Sequence, residues 1–521
     1  MNSLGELDDI LETITPDTSD SILETDDFLD ALFYAIEEYV ADNIQKMMEC
    51  DFHELMHDEL FELTTAQFGE EIPYYQHDDL HEKIDDVVDM FFSDHIPPRS
   101  HEDTHETRTM TSTERRAMKY HLRDLHDKPQ PAQRTTEWYE FRHNLITASN
   151  AYKVFMGGAS YNQILYEKCQ PIKLPPSGAG EAAAAQTVVN VETTLHWGQK
   201  YEDVSVMIYE DLFGTKVDDF GCIQHDTYSF LGASPDGINI SDTNPRFGRM
   251  LEIKNIVNRD ITGIPKLEYW VQMQLQMETC DLDECDFLET RFKEYEGESE
   301  YFQDACGYDG VADKSAVFVD ATREQLAMRK YKGIIMYFSR HGKPDYKYSP
   351  LNMCDPEEIE KWEARQHASV EHQDVVWVKN IYWRLDEMSC VLVLRNKIWF
   401  QESVGRLDTA WKTIEKERVS GFAHRAPVKR ARVPPKNTVG GTAWMGGECL
   451  LKLGTSDDDD DDEDDVIVEN DADSDSGVQD TAEDGIINRT PQRAALGSMS
   501  IMVVDKIRTE SMDETKKKMS V

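Results

Sequence analysis

Two short stretches constrain this chain more than any others: Gly232-Ala-Ser-Pro-Asp-Gly-Ile-Asn-Ile240 and Arg249-Met-Leu-Glu-Ile-Lys-Asn255. Pro235 cannot donate to a β ladder and Gly237 suits a special backbone angle, so Asp236 is expected at a bend beside the apolar run Ile238 to Ile240. In the second stretch, strand alternation puts Glu252 and Lys254 on one face. Two carboxylates and one ammonium can then converge. Hard oxygen ligands suit Mg²⁺, which lowers the pKa of a water and neutralises charge building on phosphoryl oxygens. A lysine beside it can orient or deprotonate that water. An ordinary solvated strand face would also carry Glu-x-Lys, a common tripeptide, so neighbouring segments must decide.

Those segments are Trp138-Tyr-Glu-Phe-Arg-His-Asn-Leu-Ile-Thr-Ala-Ser149 and Gly198-Gln-Lys-Tyr-Glu202 upstream, and Tyr269-Trp-Val-Gln-Met-Gln274 downstream. The Pro-Asp, fifteen residues, Glu-x-Lys spacing resembles the PD-(D/E)XK nuclease fold. The ordered set is similar to the YqaJ-type viral recombinase and phage lambda-type exonuclease family, and it spans about half the chain. The resemblance implies an α/β fold, a mixed sheet flanked by helices. It implies that Asp236 and Glu252 hold Mg²⁺ (with Mn²⁺ as a substitute), that Glu202 assists as a third acid, and that Gln272 supports the site. It places Arg142 and Ser149 at the 5′-phosphate of a DNA end.

A net charge of −47 is unusual for a protein that handles DNA, so its distribution matters. Residues 1–133 carry −25, 134–420 carry −14 and the remainder −8. Phosphate contacts must therefore come from a local basic groove. Nine cysteines without a Cys-x-x-Cys pair argue against a disulfide framework or zinc ribbon, and reduced thiols are expected. No apolar run approaches the ~20 residues that span a bilayer, so an intracellular protein without a membrane partner is expected.

The chain divides by composition. Residues 1–25 are acidic and expected to be disordered. Residues 26–98 form an acidic helical region in which Phe28, Leu32, Ile36, Val40 and Ile44 recur at helical spacing and Asp26 or Asp27 could cap the start. It would bind a partner, shield the DNA groove or simply be a solvated appendage. Within it His53-Glu-Leu-Met-His57 matches the zincin pattern, with Glu54 as the would-be base, but no further ligand pattern follows and chance explains the match.

Residues 99–133 are a polar link. Residues 134–420 are the candidate catalytic domain, with Ser149 near a helix start, Tyr201, Ser205, Ile208 and Leu212 as a packing stripe, and strands near 317–319, 333–338, 375–383 and 391–394. Trp377, Trp383, Arg384, Arg395 and Trp399 could line a DNA channel, although core packing is the expected role for most of them. All matched segments lie beyond residue 133, so 1–133 is expected to be dispensable for catalysis.

Residues 421–521 form a disordered tail. It combines a basic cluster containing Lys429, Arg430 and Arg432, a candidate signal for import into a host nucleus, with the acidic run Asp457 to Asp465.

The reading is a metal-dependent exonuclease of a large DNA virus, acting 5′-to-3′ on duplex DNA ends and leaving 3′ single strand for an annealing protein. Two alternatives stay open: a structure-selective endonuclease on the same fold, and a non-cleaving DNA-binding scaffold.

Overall fold

The computed structural model describes residues 21–69, 71–100, 110–132, 135–172, 191, 193–304, 331–371 and 373–427. The acidic start, the strand expected at 317–319, the acidic run, and Lys429, Arg430 and Arg432 lie outside the described residues.

Among the described residues three α-helices come first: α1 (Asp26–Asn43), α2 (Phe52–Phe68) and α3 (His77–Asp94). Phe28, Leu32, Ile36 and Val40 form the buried stripe of α1. The cap is Thr25 rather than Asp26 or Asp27. Its hydroxyl accepts from Phe28 N at 3.3 Å, and the two aspartates occupy the first turn, where they complement the helix dipole.

This bundle is built into the rest of the chain. Its apolar side belongs to one hydrophobic cluster with Trp270, Met273, Trp399 and Leu407. Arg99, buried, fastens the join: Nε and Nη2 donate to Pro265 O at 3.1 and 2.8 Å, while Nη1 donates to Met47 O and Glu49 O at 3.0 Å each. Its guanidinium lies over the Trp270 ring, whose Nε1 donates back to Arg99 O.

The zincin-like histidines face aromatic rings. His53 meets Phe92 edge-on at 4.6 Å, and His57 stacks on His81 at 5.1 Å. Burial, reinforced by Arg99, lowers His53 to about 4. The unfolded chain takes up that proton near pH 6.5 and the folded chain resists it, so stability is full above pH 6.5 and is lost as pH falls towards 4. Replacing His53 with Gln should therefore make stability less sensitive to acid by about 2 kcal/mol, read from urea unfolding of both proteins at pH 7 and 4.5. Equal losses in the two would contradict this.

Within the expected polar link lies α4 (Ser112–His126), started by a capping box in which Thr111 and Glu114 bond each other's backbone N–H. Then come α5 (Thr136–His143), β1 (Ile146–Thr147), α6 (Ala148–Ala151), α7 (Ala159–Cys169) and α8 (Thr194–Phe213). The packing stripe of α8 is Tyr201, Val204, Ser205, Ile208 and Tyr209; Leu212, expected in it, is 37% exposed.

Strands β2 (Val217–Asp218), β3 (Ile223–Gln224), β4 (Leu231–Ala233), β5 (Gly237–Asn239) and β6 (Met250–Asn255) precede α9 (Leu267–Cys280) and β7 (Glu284–Glu294). After α10 (Glu298–Gln303) come β8 (Lys332–Arg340), β9 (Lys343–Tyr348), α11 (Pro356–Val370), β10 (Val375–Leu394) and α12 (Lys397–Ser420).

Seven strands form a mixed sheet in the order β2-β5-β6-β7-β10-β8-β9, in which β6 and β7 are parallel and the other pairs antiparallel. A small sheet runs β1-β4-β3. Helices cover the large sheet on both sides, a mixed α/β layout. Leu251 and Ile253 pack with Tyr209 of α8 and Leu288, while Glu252 and Lys254 turn to the opposite face, under α9.

β10 is a single long strand where two were expected. Bulges beside Val378 and Asp386 restore its register against β8 and β7. Trp383 and Trp399 are core residues, and Arg395 is held by Glu278 and Asp281, so these three do not line a channel. Cys50, Cys169, Cys222, Cys280, Cys285 and Cys390 are free as expected, but Cys354 is disulfide-bonded. Among the described residues no helix is long and apolar enough to cross a membrane.

Candidate active site

Asp236 sits at the bend before β5, where its Oδ2 accepts from Ile253 N at 2.7 Å. That bond ties the bend to the middle of β6, one residue from Glu252. Glu252 is fully buried, and both its oxygens are engaged. Oε1 accepts from Gln272 Nε2 and faces Lys254 Nζ, each at 2.7 Å, and Oε2 accepts from Gln276 Nε2 at 2.7 Å. The glutamines stand one turn apart on α9 and so reach the same carboxylate. Gln274 points elsewhere, bonding Leu394 O and Asn396 N. Lys254 also lies 4.8 Å from the Tyr269 ring centroid and 3.4 Å from Gln272 Oε1.

The electrostatics are those of crowded acids. Burial, then Glu252 and Glu202, push Asp236 well above the usual carboxylate range. Glu202, exposed near the middle of α8, is raised to about 7 by partial loss of water and by Asp203, Glu252 and Asp219. Burial works against the Lys254 ammonium, but Glu252 and Asp236 outweigh it and hold its pKa above the usual lysine range. As it stands, Lys254 is a fixed donor and not a base.

Among the described residues, no group of three or more His, Cys, Asp or Glu side chains is arranged to hold a metal. Glu252 is engaged by two amides and an ammonium, and Asp236 by a backbone N–H. The donor chemistry nevertheless fits a hard divalent cation. The Glu252 carboxylate raises both Asp236 and Glu202 beside a single ammonium, and Gln276 Oε1 is buried without a hydrogen-bond partner.

A second cluster adjoins the first. β1 pairs in parallel with β4, Thr147 opposite Gly232, so Ser149 and Ser234 each lie two residues past the same pair. Only glycine fits at 232, since a Cβ there would lie 2.6 Å from Leu145 Cδ1 and 3.2 Å from Ile223 O. Ser149 is exposed and lies in the first turn of α6, as expected near a helix start; Thr147, the residue before that helix, makes no side-chain cap bond, and the Thr147 and Ser149 hydroxyls lie 3.5 Å apart.

Arg142 on α5 stacks over Trp138 at 4.7 Å and reaches Ser234 Oγ at 3.4 Å and Cys222 Sγ at 3.9 Å. Glu137 and Glu140, the carboxylates nearest in sequence, do not pair with it. Ser234, two residues before Asp236, was not singled out in the sequence, and neither was Gln276. Gln276 Nε2 joins the two clusters, donating to Ser234 O at 3.2 Å as well as to Glu252.

Comparison with known proteins follows the same segment. An uncharacterized protein of Acanthamoeba polyphaga mimivirus is 29% identical over 310 residues, covering 55% of this chain and 53% of its own length. The chain thus spans about half the length of that curated relative. An alkaline exonuclease from Laribacter hongkongensis, solved alone and in complex with dAMP, is 18% identical, with 55% of this chain and 94% of that chain covered and a TM-score of 0.29. Residues 137–283, which supply Arg142, Ser149, Glu202, Asp236, Glu252, Lys254 and Gln272, match the model of the YqaJ-like viral recombinase domain.

Proposed function

We propose that this chain is a divalent-metal-dependent deoxyribonuclease that degrades duplex DNA from 5′-phosphorylated ends, in the service of viral recombination or genome processing. The observation that carries this reading is Arg142, a guanidinium with serine, thiol and aromatic partners and, among the described residues, no carboxylate, one hydroxyl away from the bend that presents Asp236. A cation left without a counter-charge beside an acid centre suits a terminal phosphate placed next to the bond to be cut.

Asp236, Glu252 and Glu202 would hold Mg²⁺, or Mn²⁺ in its place. Bound there, the cation would lower the pKa of a water and neutralise charge on the phosphoryl oxygens. Lys254 keeps its proton and donates to the charge that grows on the scissile phosphate. Gln272 and Gln276 fix the rotamer of Glu252. Arg142, Ser149 and Ser234 set the register of the strand, so that hydrolysis begins at the end.

If so, wild type digests 5′-phosphorylated duplex faster than 5′-hydroxyl duplex. Arg142→Ala should lose about tenfold to a hundredfold of that preference, the worth of a charge-assisted bond. Equal slowing on both substrates would make Arg142 structural, and an undiminished preference would place the end reader elsewhere.

A further inference from the structure

The sheet face that carries Glu252 and Lys254 has helices over its two ends and a charged strip between them. At one end Tyr269 of α9 packs on Phe287 of β7 at 5.8 Å. At the other, Tyr301 of α10 and Trp362 of α11 share a cluster with Ile334 of β8 and Tyr382 of β10. Strand alternation decides what lies between. Asp286, Leu288, Thr290 and Phe292 of β7 turn to α8, where they meet Tyr209, Ser205 and Tyr201. Glu289, Arg291 and Lys293 therefore share the face of Lys254, which is the neighbour of Glu289 in register. On β10, Arg384 stands opposite Lys293 and Glu387 opposite Arg291.

Acids lay the cations of this strip in place. Arg259 reaches back from the loop after β6 to pair with Glu289, its guanidinium over the Tyr269 ring. Arg291 pairs with Glu387 and donates to Arg259 O. Lys293 lies 2.8 Å from Asp386, and Arg384 lies 3.9 Å from the same carboxylate. Asp386 thus serves two cations, which leaves one positive charge over. Those two are also the open ones, with 55% of the Lys293 side chain and 44% of that of Arg384 exposed. A surplus cation on an open surface stands out in a chain of net charge −47.

We propose that this strip is the track along which the backbone of duplex DNA runs into the acid centre, with Lys293 and Arg384 each holding a phosphate. The inference rests on the deoxyribonuclease function proposed above and adds where the duplex lies. Two observations choose this occupant: the strip is continuous with Lys254, and its surplus charge has the sign that phosphates need. Ion pairs exposed to water are weak, so a phosphate displaces Asp386 at little cost. Until it arrives, the acid keeps both cations laid along the sheet. Arg291 stands two residues nearer the acid centre, about 6.6 Å along β7, and extends the track towards Lys254. Such contacts fix the register of the duplex and read no sequence.

The test is the salt dependence of duplex affinity, measured by fluorescence anisotropy with the full-length protein in Ca²⁺. A 5′-hydroxyl duplex is used, so that recognition of a terminal phosphate does not enter. The double variant Lys293→Gln, Arg384→Gln should bind about tenfold more weakly at about 0.1 M salt. The slope of log affinity against log salt should shrink by about 1.8, the counterions released from two phosphates. The double variant Lys361→Gln, Lys412→Gln removes the same charge from exposed pairs on α11 and α12 and should match wild type. Asp386→Asn frees both cations and should bind about twofold to fivefold tighter, the worth of an exposed ion pair.

A Lys293→Gln, Arg384→Gln protein with the wild-type slope would overturn the track. So would an Asp386→Asn protein that binds no tighter, an arm that decides the matter even if the double variant does not fold. An equal loss of slope in the Lys361→Gln, Lys412→Gln protein would reduce the effect to net charge and overturn it too. A wild-type protein that binds no duplex would overturn the deoxyribonuclease function itself, and this inference with it.

Discussion

Asp236→Asn is expected to lose DNA hydrolysis in Mg²⁺ by about a thousandfold or more, the upper range for removing one group that stabilises transition-state charge. The fold should not suffer. Asn can still accept from Ile253 N, the bond that Asp236 Oδ2 makes, and it removes a charge that Glu252 and Glu202 oppose. The melting temperature of the variant should therefore equal or exceed that of wild type, as expected where a site holds like charges together for function. Duplex binding, read by fluorescence anisotropy, should persist because it depends on Arg142, Ser149 and backbone donors. Ca²⁺ should support binding without hydrolysis, since its looser and larger coordination positions water poorly. Turnover retained by a folded Asp236→Asn protein would remove Asp236 from the centre.

The second large effect concerns the acidic helical bundle. The positions of the matched segments suggested that a chain beginning at residue 134 would suffice for catalysis. The shared core predicts otherwise: such a chain should fail to unfold cooperatively. It would expose the surfaces of Trp270 and Trp399 that the bundle covers, and the backbone oxygen of Pro265, at the entry to α9, would lose Arg99. α9 carries Gln272 and Gln276, so loosening its start would also loosen the rotamer of Glu252. A single substitution, Arg99→Ala, removes bonds to three carbonyl oxygens and should cost at least about 3 kcal/mol in denaturant unfolding. A 134–521 chain that folds cooperatively and digests DNA at the wild-type rate would contradict this.

Local signals in the sequence account for the acid centre. Pro235 marks the bend, and alternation puts Glu252 and Lys254 on one face; Gly237 keeps an ordinary backbone angle and is needed for its close approach to Val217, and Gln272 comes from the family resemblance of Tyr269-Trp-Val-Gln-Met-Gln274. Gln276 was as visible as Gln272 by helical spacing, but nothing in the sequence says that one carboxylate takes both amides. Ser234 belongs to a contact between distant segments. It meets Arg142 because β1 pairs with β4.

Some fold features were legible but not read, such as the Thr111-x-x-Glu114 capping box of α4 and the Asp355-Pro356 start of α11. Acids at Asp386 and Glu387 interrupt the apolar run of β10, and the bulge there keeps the strand continuous.

The most direct measurement follows linear and covalently closed circular duplexes of one sequence in the same reaction, with 5′-phosphorylated ends on the linear form, in Mg²⁺ and in EDTA. The account predicts that only the linear duplex is consumed, that labelled nucleotides appear first from its 5′ termini, and that EDTA stops the reaction. Cleavage of the closed circle at a similar rate, or digestion undiminished in EDTA, would contradict it.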